Sequence, residues 1–401
     1  MKIFFCDNRL GGLLGFRIDI IKHFAEAGHD VCLLVPPATN SWDKVGEQVP
    51  EGVRIIEARM QPSGTNPVRD LRLFADYLRI YRRERPDVVF NYTIKPNIYS
   101  SIAAKMCGSR VFCMLAGLGY MFEGKGFLKA FGLRLYKYGL SKADRIMVLN
   151  QMNYDLMLEY EMTSAEKLLL MKGGEGVNLQ RYAYKPADYS RGTTFLMVSR
   201  ILYDKGYSEY LDAARIVKKK HPDANFELLG PLAYDSPMGV PQDVFERDRQ
   251  EGIVRYLGVA PVVDDIVSRE DVVMVVPSKY GEGLNRSLME ACAIGRPIIT
   301  TDIPGCRETV EDGANGYLVA KGEVQSLVSA MECFIGLSEQ EKCAMARRSH
   351  EIAVEKFDIE KVIKEYDELL KYPTKRAEHQ PAFSAKSVGN GAQTIPSSPN
   401  F

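Results

Sequence analysis

One stretch, residues 272–302, places the strongest constraint on the fold of this chain. Val272 to Val276 is a short run of apolar, mostly β-branched residues, as expected for a buried parallel strand. The loop that follows contains two glycines, and a helix is predicted to begin near Ser287. Because a glycine loop that ends at a helix N-terminus presents free backbone amides, the stretch predicts a site for phosphate.

Two carboxylates accompany this predicted phosphate site. Glu282 lies in the loop, and Glu290 lies in the predicted first turn of the helix. Negative side chains beside a phosphate are electrostatically unfavourable, unless they accept hydrogen bonds from sugar hydroxyls. The combination therefore predicts a nucleotide-sugar ligand.

The residues around these glutamates resemble one enzyme family. Glu282-x7-Glu290 is followed by Gly295-Arg-Pro-Ile-Ile-Thr-Thr-Asp302 and by Gly305-Cys-Arg-Glu-Thr-Val-Glu-Asp-Gly-Ala-Asn-Gly-Tyr-Leu-Val319. This ordered set resembles the C-terminal domain of the family 4 retaining glycosyltransferases. The resemblance implies an α/β fold with two Rossmann-like domains that face each other across a cleft, the glycosyltransferase B arrangement.

The resemblance also implies roles for individual residues. Glu290 would accept hydrogen bonds from ribose hydroxyls, Glu282 would hold hydroxyls of the donor sugar, and the backbone around Tyr256 would face the base. The other donor-binding residues carried over from the loop and helix are Gly283, Leu284, Asn285, Arg286 and Ser287.

Two cations follow another predicted strand, Phe195 to Val198. Arg200 and Lys205 come directly after it, at the strand end where doubly wound sheets bind ligands. A guanidinium and an ammonium group at this edge can neutralise a diphosphate leaving group. The pair resembles the Arg/Lys pair of the family, so we assign both residues, with Glu282, to catalysis. The alternative is a pair of ordinary surface charges.

The N-terminal region predicts a β-loop-α-β unit, with a helix from Phe16 to Ala27 and a second strand from Asp30 to Val35. A dinucleotide-binding fingerprint would require a glycine in place of Leu10 and an acid after the second strand, where prolines follow instead. Nicotinamide binding is therefore disfavoured. In the resembling transferases such a loop approaches the donor phosphates or the acceptor, whereas the alternative is merely a tight turn. The residues concerned are Gly11, Gly12 and Gly15.

The segment Thr93-Ile-Lys-Pro-Asn-Ile-Tyr99 resembles a signature of family members that make bacterial surface polysaccharides and lipid-linked oligosaccharides. These enzymes commonly add acetamido-hexose or uronic-acid units. Lys95 and Asn97 are candidates for the sugar or acceptor pocket. Many relatives carry a histidine near this point, but this chain has none between His29 and His221, so no imidazole is assigned.

Two predicted helices raise the question of membrane contact. Residues 69–85 carry a basic excess, which is typical of a solvated face but also suits an anionic membrane surface. Residues 127–140 are apolar on two sides, which predicts burial between layers. The alternative is that one side of this helix contacts lipid at the inner membrane.

Composition argues against nucleic-acid-binding and disulfide-bonded proteins. The 52 basic and 52 acidic residues cancel, so no global field attracts nucleic acid. The eight cysteines are scattered, which predicts reduced thiols in a cytoplasmic protein, with peripheral contact on the cytoplasmic face of the membrane left open. Asp264 and Asp265 are interpreted as capping a short helix rather than as metal ligands. We expect no metal and no cofactor beyond the UDP-linked donor substrate.

The predicted domains are 1–190, an acceptor-side Rossmann-like domain, and 191–355, a nucleotide-sugar domain. Residues 356–371 are predicted to form a helix that crosses back to the first domain, and residues 372–401 a disordered tail.

Together these features predict a retaining hexosyltransferase that moves a sugar, such as an N-acetylhexosamine or uronic acid, from a UDP-sugar to a lipid-linked saccharide. The alternatives are a nucleotide-sugar epimerase or phosphorylase on the same fold, or a non-catalytic nucleotide-binding subunit.

Overall fold

A computed structural model describes residues 1–37, 49–61, 66–117, 127–259 and 263–373. Apart from its first two residues, the predicted tail at 372–401 lies outside these ranges.

The strands form two parallel sheets. The first has the order β3-β2-β1-β4-β5-β6-β7 and the second the order β10-β9-β8-β11-β12-β13. Both have the central 3-2-1-4-5 order of Rossmann-like sheets, which confirms the predicted fold class. The strands are β1 (Lys2–Cys6), β2 (Asp30–Val35), β3 (Arg54–Glu57), β4 (Val88–Asn91), β5 (Arg110–Leu115), β6 (Arg145–Val148), β7 (Leu168–Leu170), β8 (Thr194–Val198), β9 (Asn225–Leu229), β10 (Arg255–Tyr256), β11 (Val272–Val276), β12 (Ile298–Thr301) and β13 (Gly316–Val319).

Helices cover the sheets. They are α1 (Leu10–Glu26), α2 (Pro67–Glu84), α3 (Ser101–Met106), α4 (Phe127–Ser141), α5 (Gln151–Glu159), α6 (Tyr207–Lys220), α7 (Gln242–Glu251), α8 (Val263–Val267), α9 (Arg286–Ile294), α10 (Val324–Gly336), α11 (Glu339–Ile352) and α12 (Ile359–Lys371). Single π-helical turns span Pro96–Ser100 and Ala353–Phe357, and a 3₁₀ turn spans Tyr203–Lys205.

Burial of the central strands explains their composition. Every residue of β11 is fully buried, as expected where helices cover both faces of a parallel sheet. The last helix, α12, packs against α1, and the hydroxyl of its Tyr366 lies 3.1 Å from that of Tyr92 beside β4. The predicted domain bounds themselves stay predictions.

The glycine-rich stretch after β1 is helical, so its interpretation as a loop is wrong. Helix α1 begins at Leu10 rather than Phe16, and Gly11, Gly12 and Gly15 occupy its first turns. Three leucines at helical spacing bury their side chains here, and this burial outweighs the cost of about 1 kcal/mol that each helical glycine brings. They are Leu10, Leu13 and Leu14.

Helix α4 is buried on one side only, contrary to the predicted burial between two layers. Tyr136 and Leu140 are buried, whereas Phe131 and Tyr138 are more than half exposed. The buried side packs on the π-helical turn Pro96–Ser100. The approach is close because of Gly139, where a Cβ atom would lie only 2.6 Å from the Ile98 Cα.

Charged side chains are buried where β1 ends. Arg17 of α1 is 4% exposed, forms an ion pair with Glu175 and lies 3.6 Å from the Asp7 carboxylate. Its guanidinium carbon is 4.0 Å from the centre of the Tyr92 ring. Burial raises the pKa of Asp7 to about 6, although Arg17 acts in the opposite direction. The desolvation of the Asp7 carboxylate is therefore larger in free energy than its attraction to Arg17.

The raised pKa of Asp7 predicts a pH-dependent stability. Between about pH 4 and pH 6 the folded protein binds this proton more tightly than the unfolded chain, so Asp7 lowers the free energy of unfolding as pH rises. The total change is about 3 kcal/mol. Asp7→Asn should therefore gain stability relative to the wild type between pH 4 and pH 7, as measured by urea unfolding.

The matched control is Asp76→Asn. A hydrogen bond from Arg59 lowers the pKa of Asp76, so the stability that this carboxylate contributes is lost only as pH falls below about 4. Asp76→Asn should therefore be less stable than the wild type by a nearly constant amount between pH 4 and pH 7. A pH-dependent gain in both variants would contradict the assignment.

A second prediction concerns Gly206, which joins the 3₁₀ turn to α6 with φ +84°. A Cβ atom there would lie 2.0 Å from the Pro277 carbonyl oxygen, so Gly206→Ala should lower the free energy of unfolding by at least about 2 kcal/mol. Gly252 has φ +72°, but a Cβ atom at this position would meet no other atom within 4 Å, so Gly252→Ala should cost only about 1 kcal/mol. Equal losses in urea unfolding would disprove the close contact.

Candidate active site

The loop between β11 and α9, residues 277–285, is called the Glu282 loop below. Asn285 ends it as the N-cap of α9: its side-chain oxygen accepts hydrogen bonds from the Leu288 amide at 3.1 Å and the Ser287 hydroxyl at 2.8 Å. The helix begins at Arg286, one residue before the predicted start. Its N-terminus therefore lies at the carboxyl end of β11, where its dipole attracts an anion.

Lys205 and Glu282 form a direct ion pair between the 3₁₀ turn and the Glu282 loop. Their side chains are 15% and 21% exposed. The Asn285 side-chain amide donates to the second carboxylate oxygen of Glu282 at 3.3 Å. Two residues predicted from distant parts of the sequence thus meet at one point.

Arg200 lies at the end of β8 and is exposed. Within the part of the chain that the structure describes, its guanidinium group makes no hydrogen bond or ion pair. The backbone connects its region to the Glu282 loop, because the Lys279 amide donates to the Asp204 carbonyl at 2.8 Å. Arg200 therefore offers a positive charge that an anionic ligand can pair with.

Glu290 is held on one of its two oxygens. Oε1 accepts hydrogen bonds from the Tyr182 hydroxyl at 2.8 Å and from Arg286 Nε at 2.7 Å, and Oε2 accepts none from the described residues. Burial and the nearby Glu290 raise the pKa of Tyr182, which keeps this hydroxyl protonated. Tyr182 could not be predicted as a site residue, because a tyrosine that ends a connecting segment carries no signal of its own.

The Glu282 loop also contacts the first sheet. The Asn150 side-chain amide, beyond β6, donates to the carbonyls of Glu282 and Gly283 at 2.8 and 2.6 Å. A Cβ atom on Gly283 would lie 1.9 Å from the Ala116 carbonyl oxygen, so only glycine fits. Asn150 was missed as well: it is the N-cap of α5, and that local role conceals the long-range one.

Other predicted site residues have structural partners. Lys95 forms an ion pair with Asp70 at 2.8 Å. Asn97 is 1% exposed and donates to the Met114 carbonyl and the Tyr136 hydroxyl. Neither hydrogen-bonds to the Glu282 loop within the described ranges.

The other predicted site residues have contacts that do not identify a role. The Tyr256 hydroxyl donates to the Gly230 carbonyl at 2.9 Å, and its ring packs edge-on against Phe245. A Cβ atom on Gly12 would lie 3.3 Å from the Asp7 carboxylate, whereas one on Gly15 would meet nothing within 4 Å. The Leu284 side chain packs against Gly174. Their contacts with a ligand stay predictions.

The acidic pair at 264–265 forms the first turn of α8 rather than its cap, and Asp264 pairs with Arg181 at 3.2 Å. Among the described residues, no group of three or more His, Cys, Asp or Glu side chains could hold a metal ion.

Comparison with known proteins gives two family matches. Residues 183–350 match the model of glycosyl transferases group 1, and residues 18–171 match the glycosyl transferase 4-like domain. A similar curated protein is the N,N'-diacetylbacillosaminyl-diphospho-undecaprenol alpha-1,3-N-acetylgalactosaminyltransferase of Campylobacter jejuni, 24% identical over 92% of this chain and 100% of its own length. The capsular polysaccharide biosynthesis glycosyltransferase CapM of Staphylococcus aureus is 23% identical over 67% of this chain and 73% of its own.

Solved structures agree on the fold. HepE of Anabaena in complex with UDP and glucose has a TM-score of 0.76 at 21% identity, covering 93% of this chain and 100% of that one. A glycosyltransferase from Rickettsia africae has a TM-score of 0.72 at 16% identity, covering 92% and 97%. The two family matches together span most of the chain, and the chain therefore belongs to the group 1, family 4-like glycosyltransferases.

Proposed function

We propose that this glycosyltransferase moves a hexose-type sugar from a UDP-sugar to a hydroxyl group of a lipid-linked saccharide, with retention of configuration. The observation that carries the proposal is the ion pair between Lys205 and Glu282 beside the N-terminus of α9. The pair brings together a cation that can neutralise a phosphate and a carboxylate that can accept hydrogen bonds from sugar hydroxyls. The UDP in the HepE structure, which shares the fold, supports the choice of nucleotide.

The donor fits this geometry in three parts. Glu290 offers Oε2 to the ribose hydroxyls, since its other oxygen is already occupied. Arg200, Lys205 and the N-terminus of α9 bind the diphosphate. Glu282 then exchanges its contact with Lys205 for the hydroxyls of the donor sugar.

The reaction breaks the bond between the anomeric carbon and the diphosphate oxygen, and forms a bond from that carbon to the acceptor oxygen on the same face. The acceptor proton passes to the departing diphosphate. Arg200, Lys205 and the helix N-terminus stabilise the negative charge that develops on the leaving group. These positive groups take the place that a metal ion has in other transferases, so we propose that no metal is required.

Relatives support the choice of acceptor. The Campylobacter enzyme is named for a diphospho-undecaprenol acceptor, and an Escherichia coli relative, 22% identical over 66% of this chain and 70% of its own, is the UDP-Gal:alpha-D-GlcNAc-diphosphoundecaprenol alpha-1,3-galactosyltransferase. We infer a similar acceptor, a saccharide on a polyprenyl diphosphate, used in surface polysaccharide synthesis.

Such an acceptor requires access to the cytoplasmic face of a membrane. None of the helices in the described ranges is long and apolar enough to span a bilayer. Helices α2 and α4 both pack on the π-helical turn at 96–100. The layer formed by these helices and the residues that precede the turn carries five apolar side chains that are more than half exposed, and both helices also carry exposed basic residues. The apolar residues are Val68, Leu71, Ile94, Phe131 and Tyr138, and the basic ones are Arg69, Arg72, Arg134 and Lys137.

We propose that this layer, here called the membrane face, binds anionic lipid peripherally. The ion pair between Lys95 and Asp70 keeps the exposed Ile94 next to the first turn of α2. Exposed apolar side chains interspersed with arginine and lysine are the combination that suits an anionic bilayer interface.

The catalytic proposal predicts the effect of Lys205→Met. Transfer of labelled sugar from UDP-N-acetylgalactosamine or UDP-galactose to an undecaprenyl-diphosphate-linked saccharide should lose about a hundredfold or more in kcat, because a charge that stabilises the leaving group is gone. Lys220→Met is the matched control: Lys220 is exposed on α6 and pairs with Glu332, so activity should be unchanged. Equal activity in both variants would remove Lys205 from the catalytic site.

The same assay separates the alternatives. An epimerase would change the UDP-sugar without any acceptor, a phosphorylase would require inorganic phosphate, and a non-catalytic subunit would bind UDP without turnover. Only a transferase produces UDP and glycosylated lipid in equal amounts.

The membrane proposal predicts that the double variant Leu71→Ser, Phe131→Ser has at least about tenfold lower affinity for phosphatidylglycerol-containing vesicles, measured by co-sedimentation. Each substitution removes apolar surface that the wild type would bury in the bilayer. Vesicles of phosphatidylcholine alone should bind the wild type weakly. Val354→Ser, at a residue that is 41% exposed elsewhere, is the control and should bind normally. Unchanged binding of the double variant would exclude this face.

A further inference from the structure

Two arginines from different halves of the protein hold one short segment, residues 172–177, called the glycine segment below. Arg17 of α1 forms an ion pair with the side chain of Glu175. Arg286 of α9 donates a hydrogen bond from Nη1 to the Gly176 carbonyl at 2.5 Å. Helix α1 of the first half and helix α9 of the second are therefore joined through two adjacent residues.

The glycine segment packs closely against its neighbours at two points. Gly174 and Gly176 have φ angles of +62° and +74°, which favour glycine. A Cβ atom at Gly174 would lie 2.7 Å from Leu284 Cδ2, and one at Gly176 would lie 2.7 Å from Ile359 Cδ1. Glu175 lies between these two close approaches and is 7% exposed. Its carboxylate can be neutralised only by a partner that is already in place, and Arg17 is that partner.

Arg286 connects the segment to the nucleotide site. Its Nε donates to Glu290 Oε1 at 2.7 Å while its Nη1 holds the Gly176 carbonyl. Burial alone would lower the pKa of Arg286, but the carboxylates of Glu290 and, more weakly, Glu175 raise it, so the guanidinium stays charged. Charges of alternating sign thus run from Asp7 through Arg17, Glu175 and Arg286 to Glu290. Successive members of this series are in direct contact, except that Glu175 reaches Arg286 through the Gly176 backbone.

We propose that Arg17 and Glu175 are positioning residues for the ribose site, acting through Gly176 and Arg286 on the carboxylate of Glu290. The inference builds on the proposed function, because it takes Glu290 Oε2 as the acceptor of the ribose hydroxyls. Without the pairing of Glu175 with Arg17, the Gly176 carbonyl shifts and Arg286 loses one of its two fixed contacts. The carboxylate of Glu290 then no longer has a single orientation toward the ribose.

The test compares UDP with 2′,3′-dideoxyuridine diphosphate, which lacks both ribose hydroxyls, by titration calorimetry on the whole protein. Glu175→Gln keeps the shape of the side chain and removes its charge. It should weaken UDP binding by about tenfold, as expected for a lost hydrogen bond to a charged group, and should leave binding of the dideoxy analogue within about twofold. An equal loss of affinity for both ligands in Glu175→Gln would indicate general destabilisation and would overturn the proposal.

A matched control and a second variant complete the test. Asp76→Asn removes another buried, arginine-paired carboxylate, and should leave the preference for UDP over the analogue unchanged. Arg17→Lys keeps the charge but loses the fork geometry, so it should reduce that preference even if Glu175→Gln does not fold. In a Glu290→Gln background, Glu175→Gln should have no further effect on UDP affinity; an additive loss would contradict action through Glu290.

Failure of the inference and failure of the proposed function give different results. If Glu175→Gln and Arg17→Lys both prefer UDP over the dideoxy analogue as strongly as the wild type does, only the positioning role is overturned. A wild-type protein that binds both diphosphates equally overturns the assignment of Glu290 to ribose, and the positioning role with it.

Discussion

The close approach of the Gly283 backbone to the Ala116 carbonyl is the contact on which the arrangement of the site depends. A Cβ atom at Gly283 would lie 1.9 Å from that oxygen, so no side chain separates the Glu282 loop from the end of β5. Asn150 fixes the same loop by donating to two successive carbonyls. Because the loop is held by its backbone, the Glu282 side chain can pair with Lys205 and accept from Asn285. The site residues therefore follow strands of the second sheet, whereas residues that follow strands of the first sheet, Ala116 and Asn150, fix the position of the Glu282 loop.

Buried charges form the second organising feature. Arg17, Glu175, Arg286 and Glu290 are each largely withdrawn from water, and each has an oppositely charged side chain in contact. Such pairs contribute little net stability, because desolvation offsets most of their attraction. Loss of one member is nevertheless costly, since the other is left buried and unpaired. The cluster is therefore better understood as fixing orientation around the glycine segment than as a source of stability.

Much of the fold could be predicted from the sequence. The bounds of β2 and β11 follow from short, mostly apolar runs, because strands buried on both faces leave a continuous signal. Failures occurred where local and tertiary effects compete. The glycines after β1 indicated a loop, but burial of Leu10, Leu13 and Leu14 produces a helix. Helix α4 has two apolar sides, and only the packing of Gly139 on the turn at 96–100 determines which side is buried.

Sequence patterns were enough to predict the alternation of strands and helices and the family, and they placed both Lys205 and Glu282 at strand ends. These predictions depend on local patterns and on the rule that ligands bind at the carboxyl ends of parallel strands. The direct ion pair between the two residues is a finding of the structure. Tertiary packing, by contrast, determines that Tyr182 and Arg286 occupy one oxygen of Glu290. It also determines that Asn150 reaches the Glu282 loop and that Arg17 pairs with Glu175. These contacts join residues more than a hundred positions apart, apart from the local one between Arg286 and Glu290. Tertiary packing determines these partners, and no local pattern in the sequence predicts them.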